Sequence, residues 1–165
     1  MYEVHLDLDV NAAFEDGLIR LADLDTDGSQ QIVLVSASRL AGAAITVPGV
    51  ERRDGAPVLL ERARGPSVGP GRWLNPVGFG DFHGDGQQDV VRVATPQIGG
   101  VLTLYLYQRP QLIPMTYERN VSSHVYGKVE QQLAAVTTRD SRRCVAIPNQ
   151  SRHRLRFLAP TLRAG

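Results

Sequence analysis

The stretch DLDTDGSQQ at residues 23–31 recurs as DFHGDGQQD at residues 81–89. Each copy leads directly into an apolar run, IVLV at residues 32–35 and VVRV at residues 90–93. The two copies start at Asp23 and Asp81, and the offset between them continues without a gap past the loops. Such a period lies slightly above the usual range of about 20–50 residues for repeat proteins. The sequence therefore predicts a repeated unit in which an acidic glycine loop precedes a β-strand.

The residue types of the loop point to a hard cation. Asp23, Asp25 and Asp27 alternate and are followed by a glycine, which permits the sharp turn that gathers oxygen donors around one point. Oxygen ligands in a flexible loop favour Ca²⁺ over Zn²⁺ or copper. An EF-hand starts in the same way, but its position 12 is a glutamate. That position holds Leu34 in the first copy and Arg92 in the second, so the EF-hand interpretation fails.

The pattern D-x-D-x-D-G-x-x-D followed by a strand resembles the FG-GAP repeat, which is also seen in VCBS-type repeat proteins. The second copy is a near match over GFGDFHGDGQQDVV at residues 78–91. The resemblance implies an all-β β-propeller like the head of integrin α subunits. It implies one four-stranded antiparallel blade per repeat, with Ca²⁺ in the loop between two strands, and an extracellular or periplasmic location.

The resemblance also implies metal ligands at positions 1, 3, 5, 7 and 9 of both loops, which are Asp23, Asp25, Asp27, Ser29 and Gln31, then Asp81, His83, Asp85, Gln87 and Asp89. Position 7 would contribute a backbone carbonyl. Gln31 departs from the pattern but can offer an amide oxygen, so we predict calcium at the first loop. His83 is a nitrogen donor that suits transition metals better. We predict a weaker second site, or a His83 that turns away and is replaced by water. The alternative is that both loops are empty turns, since Asp favours turns without any metal.

A third copy is visible through its strands alone. The alignment places residues 136–144 over residues 81–89. This stretch keeps only Asp140 as an acidic residue and contains three arginines, so we expect a degenerate loop without calcium.

Residues 1–165 then form one domain of about three blades, whereas propellers close with about four to eight. We interpret the chain as the remainder of a longer propeller or as a homo-oligomer that completes a ring. An open three-sheet solenoid is the alternative.

Several strands follow from local patterns. Apolar and polar residues alternate over residues 2–10, 102–107 and 154–157, which predicts strands with one buried face. Residues 53–56 read as a hairpin turn. The best candidate for a short helix is residues 128–133.

Composition limits the classes of protein. The chain has 165 residues, 42% of them hydrophobic and 21% charged, which are globular values. A net charge of +1 supplies no basic field for nucleic acid. We predict no membrane span, since no apolar run approaches about 18 residues. The first residues lack the basic and apolar regions of a signal peptide.

We predict no catalytic residues. The single cysteine, Cys144, is expected to be buried, and the four histidines show no metal-protease spacing. Trp73 is expected to pack between blades rather than form a sugar platform, and residues 122–127 are expected to pack as a loop.

From the acidic loops and the resemblance, we predict a calcium-binding module that binds a protein or glycan. The alternative is a fragment of a propeller enzyme, a lyase or hydrolase with its active site in the central channel.

Overall fold

The chain is all-β in the computed structural model, which describes residues 3–130 and 132–159. The described residues form eleven strands, which are β1 (Ala12–Ala22), β2 (Gln31–Ser38), β3 (Gly42–Arg53), β4 (Ala56–Arg64), β5 (Leu74–Gly80), β6 (Asp89–Ala94), β7 (Gly100–Gln108), β8 (Gln111–Val121), β9 (Ala135–Arg139), β10 (Arg142–Pro148) and β11 (Leu155–Leu158). Within the described ranges, no helix has the length and apolarity needed to cross a membrane.

Strands β1 to β4 form the first unit, an antiparallel meander in which each strand pairs with the next. Strands β5 to β8 form the second unit in the same way. The two meanders join edge to edge through one parallel pair, Arg64 with Gln111, giving an eight-stranded sheet. The predicted offset between the two copies is visible here, because β2 and β6 begin at Gln31 and Asp89, the ninth position of each loop. Strands β3 and β7 begin at the same offset from each other.

Strands β9 to β11 form the third unit, a separate antiparallel sheet in the order β11-β10-β9. We predicted a loop over residues 136–144, and this is wrong. Asp140 and Ser141 instead form a two-residue turn between β9 and β10, with φ angles of 49° and 61°. These are the left-handed angles of a tight hairpin. Without the acidic side chains that hold the wider loop, the chain takes the shortest connection between the two strands.

Two apolar clusters hold the three units together. The first cluster lies between the first and second units and includes Val33, Ile45, Val90 and Tyr105. The second cluster lies between the second and third units, with members from β5 to β7 and from β10. Within β6, Val90 belongs to the first cluster while Val91 and Val93 belong to the second. Successive side chains of a strand point to opposite faces of the sheet, so the second unit is buried on both faces.

Other local predictions have mixed outcomes. The turn at residues 53–56 is confirmed, because Arg53 pairs with Ala56 across it. The strands over residues 102–107 and 154–157 are confirmed within β7 and β11, although β11 begins one residue later than the pattern. The strand over residues 2–10 is wrong for its described part, where β1 begins only at Ala12. Alternation alone does not make a strand, which also needs a hydrogen-bonded neighbour.

Two further expectations differ from the structure. The third unit has three strands in the described ranges, whereas we predicted four. No helix forms over the described part of residues 128–133, which is irregular chain with a bend at Val129. Residue 131 of that segment lies outside the described ranges.

Candidate metal centre

The two acidic loops occupy the same place in the first and second units. Residues 23–30 connect β1 to β2, and residues 81–88 connect β5 to β6. Each loop is held from within by its first carboxylate. The Gly28 N–H donates to Asp23 Oδ2 at 3.2 Å, and the Gly86 N–H donates to Asp81 Oδ2 at 3.0 Å. A glycine suits this position because its φ is positive in both loops, at 84° and 89°.

The fifth position repeats the same geometry. The Ser29 N–H donates to Asp27 Oδ1 at 2.7 Å, and the Gln87 N–H donates to Asp85 Oδ1 at 2.8 Å. The hydrogen bond from Ser29 lowers the pKa of Asp27 below its ordinary value, with burial opposing it and the Ser29 side chain adding to the effect. Asp27 therefore stays ionised at neutral pH, which is the form that a cation binds.

The ninth position closes the base of each loop. The Leu24 N–H donates to Gln31 Oε1 at 2.7 Å, and the Phe82 N–H donates to Asp89 Oδ2 at 2.9 Å. Leu24 and Phe82 are both buried, one in each apolar cluster. Gln31 thus makes the same backbone contact as a carboxylate would.

The first loop gathers three carboxylates. One oxygen from each of Asp23, Asp25 and Asp27 lies within 4.8 Å of the others. Gln31 Nε2 donates to Asp25 Oδ1 at 2.8 Å, and Arg109 Nη2 lies 3.5 Å from Asp25 Oδ2. Asp23 Oδ1 is buried and has no hydrogen-bond partner among the described residues. A buried, unsatisfied carboxylate oxygen beside two further carboxylates fits a hard cation such as Ca²⁺.

The second loop has a histidine at its centre. His83 Nδ1 lies 2.9 Å from Asp89 Oδ2, and Nε2 lies 2.8 Å from Asp85 Oδ2. Both ring nitrogens donate only when the imidazole carries two protons. Burial lowers the pKa of His83, but the hydrogen bonds and charges of Asp89 and Asp85 outweigh it, so the pKa lies above 6.5. His83 faces inward, unlike the turned-away arrangement that we considered.

When His83 carries both protons, the second loop contains its own positive charge. Asp89, whose side chain is 1% exposed, has a pKa raised by burial, while the hydrogen bond from His83 opposes that rise. Asp81, His83 and Asp89 also bring one ligand atom each within 4.8 Å of one another. One oxygen of Asp85 and one of Asp89 are therefore in contact with the imidazole.

A pH-dependent stability follows from His83. Because its folded pKa is raised above the unfolded value near 6.5, its stabilisation is full below that value and is lost as the pH rises through the folded pKa. In chelator, the melting temperature of wild type minus that of His83→Gln should be largest near about pH 6 and shrink towards about pH 9. The exposed His153 is the control, and His153→Gln should leave the wild-type profile unchanged. A difference that grows with pH would contradict the charged pair.

The other residues that the sequence analysis considered lie outside the two loops. Cys144 is buried as predicted. Ser122 and Ser123 are buried, and Ser123 Oγ accepts from Asn75 Nδ2 at 3.1 Å, so the start of the loop at residues 122–127 is packed as expected. Tyr126 in the same loop is 83% exposed, so the prediction is wrong for this part. The Trp73 ring meets His124 edge-on, with the ring centres 5.4 Å apart.

Trp73 also borders a cavity of 780 Å³ at the opposite end of β2 from the acidic loop. The wall includes side chains of both charges, namely Glu15, Asp16, Arg39 and Arg72. Asp16 pairs with Arg20 beneath a bulge of β1, where Asp16 has a φ of 105°. No sequence pattern indicates this cavity, because its walls come from segments that only the β1–β2 pairing and the chain before β5 bring together.

Comparison of the chain with protein-family models, curated proteins and solved structures found no match in any of the three.

Proposed function

We propose that this chain is a calcium-binding repeat module of the β-propeller type that serves as a binding or scaffold domain. The observation that carries the proposal is the first loop, where one oxygen from each of three carboxylates lies within 4.8 Å of the others and Asp23 Oδ1 is buried without a hydrogen-bond partner among the described residues. Asp23, Asp25 and Asp27 would hold the ion, and the resemblance adds the carbonyl of Ser29. The resemblance also implies Gln31 as a ligand, but its Oε1 accepts from the Leu24 N–H and its Nε2 donates to Asp25, so we assign Gln31 to the support of the loop. The metal supplies charge neutralisation and a rigid tie between β1 and β2.

In the second loop, a side chain of the protein neutralises the carboxylates in place of a metal. His83 supplies the positive charge between Asp85 and Asp89 that Ca²⁺ would supply in the first loop. Calcium would have to displace a protonated imidazole there. We therefore assign one calcium ion per chain, at the first loop.

Propeller architecture is supported by the stacking of similar antiparallel units, two of them with four strands, through successive apolar clusters. A calcium loop built from few charges suits the millimolar calcium outside cells, which favours an extracellular or periplasmic location.

For the ligand, the cavity beside Trp73 favours a glycan over a protein. An aromatic ring, carboxylates and guanidinium groups together can stack on a sugar and bond its hydroxyls as acceptors and donors. Its 780 Å³ lies within the range of about 300–1,000 Å³ for ligand pockets.

Calcium should raise the melting temperature of the wild-type chain. Calcium at 100 times its dissociation constant stabilises the folded state by about 2.7 kcal/mol, which corresponds to about 5–10 °C for a chain of this size. Asp23→Asn should remove most of this rise, because it removes a charge from the cluster. The control is Asp54→Asn at the β3–β4 turn, which should retain the full rise. Equal rises in Asp23→Asn and wild type would overturn the first loop as the site.

A further inference from the structure

The three units are stacked in the same orientation, so that the same face of each unit points to the next unit along the chain. In the first unit, Val33 and Val35 face the second unit in the first cluster. Their equivalents in the second copy of the repeat, Val91 and Val93, face the third unit in the second cluster. We call this face of each unit its front and the opposite face its back. The front of one unit therefore packs on the back of the next, at both junctions of the chain.

The back of the first unit is left without a described unit upon it. Directly opposite residues of an antiparallel pair share a face. Phe14 pairs with Ser36, and Leu21 pairs with Ile32, so all four lie on the back. Phe14 is 45% exposed and Leu21 is 54% exposed, around a centre of smaller buried side chains.

The front of the third unit is open in the same way. Val145 and Ile147 face the second cluster, so Ala146 between them lies on the front, together with its partner Phe157. Leu155 also lies on the front, and Leu155 and Phe157 are 58% and 46% exposed. This face contains a cavity of 340 Å³, lined by Arg139, Asp140, Arg142, Cys144, Phe157 and Ala159.

The segments that contain the first and third units carry opposite net charge. Residues 3–64, which include the first unit, contain 11 acidic and 6 basic side chains, for a net charge of −5. Residues 134–159, which include the third unit, contain one acidic and 6 basic side chains, for a net charge of +5. The intervening residues 65–133 are neutral overall. A charge separation along the stacking direction attracts the front of one copy to the back of another.

We propose that the chain associates head to tail, with the front of the third unit of one copy packed on the back of the first unit of the next. The contact continues the stacking that already joins the units within one chain. Half-exposed apolar side chains of the back, such as Phe14, would enter the cavity beside Phe157. Because the two surfaces differ, the interface is heterologous, and it closes a ring or extends as a filament according to the rotation between copies.

The test is sedimentation of the wild type and of two end variants over a wide range of concentration in chelator, so that calcium plays no part. Wild type should exceed the mass of one chain, 18.0 kDa, and high salt should lower its mass. Phe14→Glu blocks the back and Phe157→Glu blocks the front, so each alone should sediment as a single chain. The control Ile98→Glu changes an exposed residue in the β6–β7 turn and should associate like wild type.

Mixing the two end variants decides the polarity of the contact. The Phe14→Glu chain retains its front and the Phe157→Glu chain retains its back, so the mixture should form a heterodimer of about 36 kDa and nothing larger. A symmetric front-to-front or back-to-back contact would not be restored in this way. If either variant loses its melting transition, Leu21→Glu or Leu155→Glu replaces it. A monomeric wild type, or a mixture that stays monomeric, overturns the proposal and leaves the open ends for a different partner.

Discussion

Replacing His83 by aspartate is expected to raise the number of calcium ions bound per chain from one to two. His83→Asp completes the D-x-D-x-D-G-x-x-D pattern of the second loop and removes the imidazole from between Asp85 and Asp89. The internal hydrogen bonds from the Gly86 and Gln87 N–H groups already match those of the first loop. The scaffold of the loop is therefore in place, and the substitution changes only the charge that fills it.

The variant should also be less stable than wild type without calcium and should be stabilised more than wild type by calcium. Without calcium, four carboxylates face one another with no cation among them, so His83→Asp should melt below wild type. With calcium, the melting temperature should rise by more than that of wild type. Calorimetric titration counts the ions, and His83→Asn, which removes the imidazole without adding a charge, is the matched control. If His83→Asp still binds one ion, the imidazole is not what keeps calcium from the second loop.

Shortening Leu104 to alanine is expected to destabilise the chain more than any substitution at its surface. Leu104 lies in β7 at the centre of the second cluster and is fully buried. Leu→Ala substitutions in cores cost about 2–5 kcal/mol, because the lost contacts leave a cavity. At about 2–4 °C per kcal/mol for a chain of this size, the melting temperature should fall by at least about 4 °C.

The comparison is Leu40→Ala in the β2–β3 turn, where the side chain is 83% exposed. The same chemical change should cost well under half as much there. Both variants are followed by denaturant unfolding, which gives the free energy of unfolding directly. Similar losses at both positions would mean that the second unit is not covered by the third.

The acidic loops were predictable because each combines local chemistry with repetition. A glycine at position 6 and carboxylates at positions 1 and 5 determine the same internal hydrogen bonds wherever they occur, at Asp23 as at Asp81. The strands after the loops followed from the same offset. The Asp54–Gly55 turn was equally local, with both residues at positive φ.

The predictions that were wrong depend on contacts with residues elsewhere in the chain, which a local sequence pattern does not specify. The alternation over residues 2–10 predicted a strand, but pairing depends on a neighbour from elsewhere in the chain. The contact of Arg109 with Asp25 joins the β7–β8 turn to the first loop, two segments that are far apart in the sequence, and had no sequence signal. The inward orientation of His83 involves a contact with the buried Asp89, which the local sequence does not specify. The prediction of a third loop was wrong because the third copy was aligned through its strands alone. The acidic residues that define the loop in the other two copies are absent from it.

The central claim is that the first loop binds calcium, and counting bound ions tests it most directly. Equilibrium dialysis of chelator-treated protein against radioactive calcium should show one ion per wild-type chain, and markedly weaker binding by Asp23→Asn. Binding that is absent from wild type, or equally strong in Asp23→Asn, would contradict the claim and leave Asp23, Asp25 and Asp27 as the side chains of an ordinary turn.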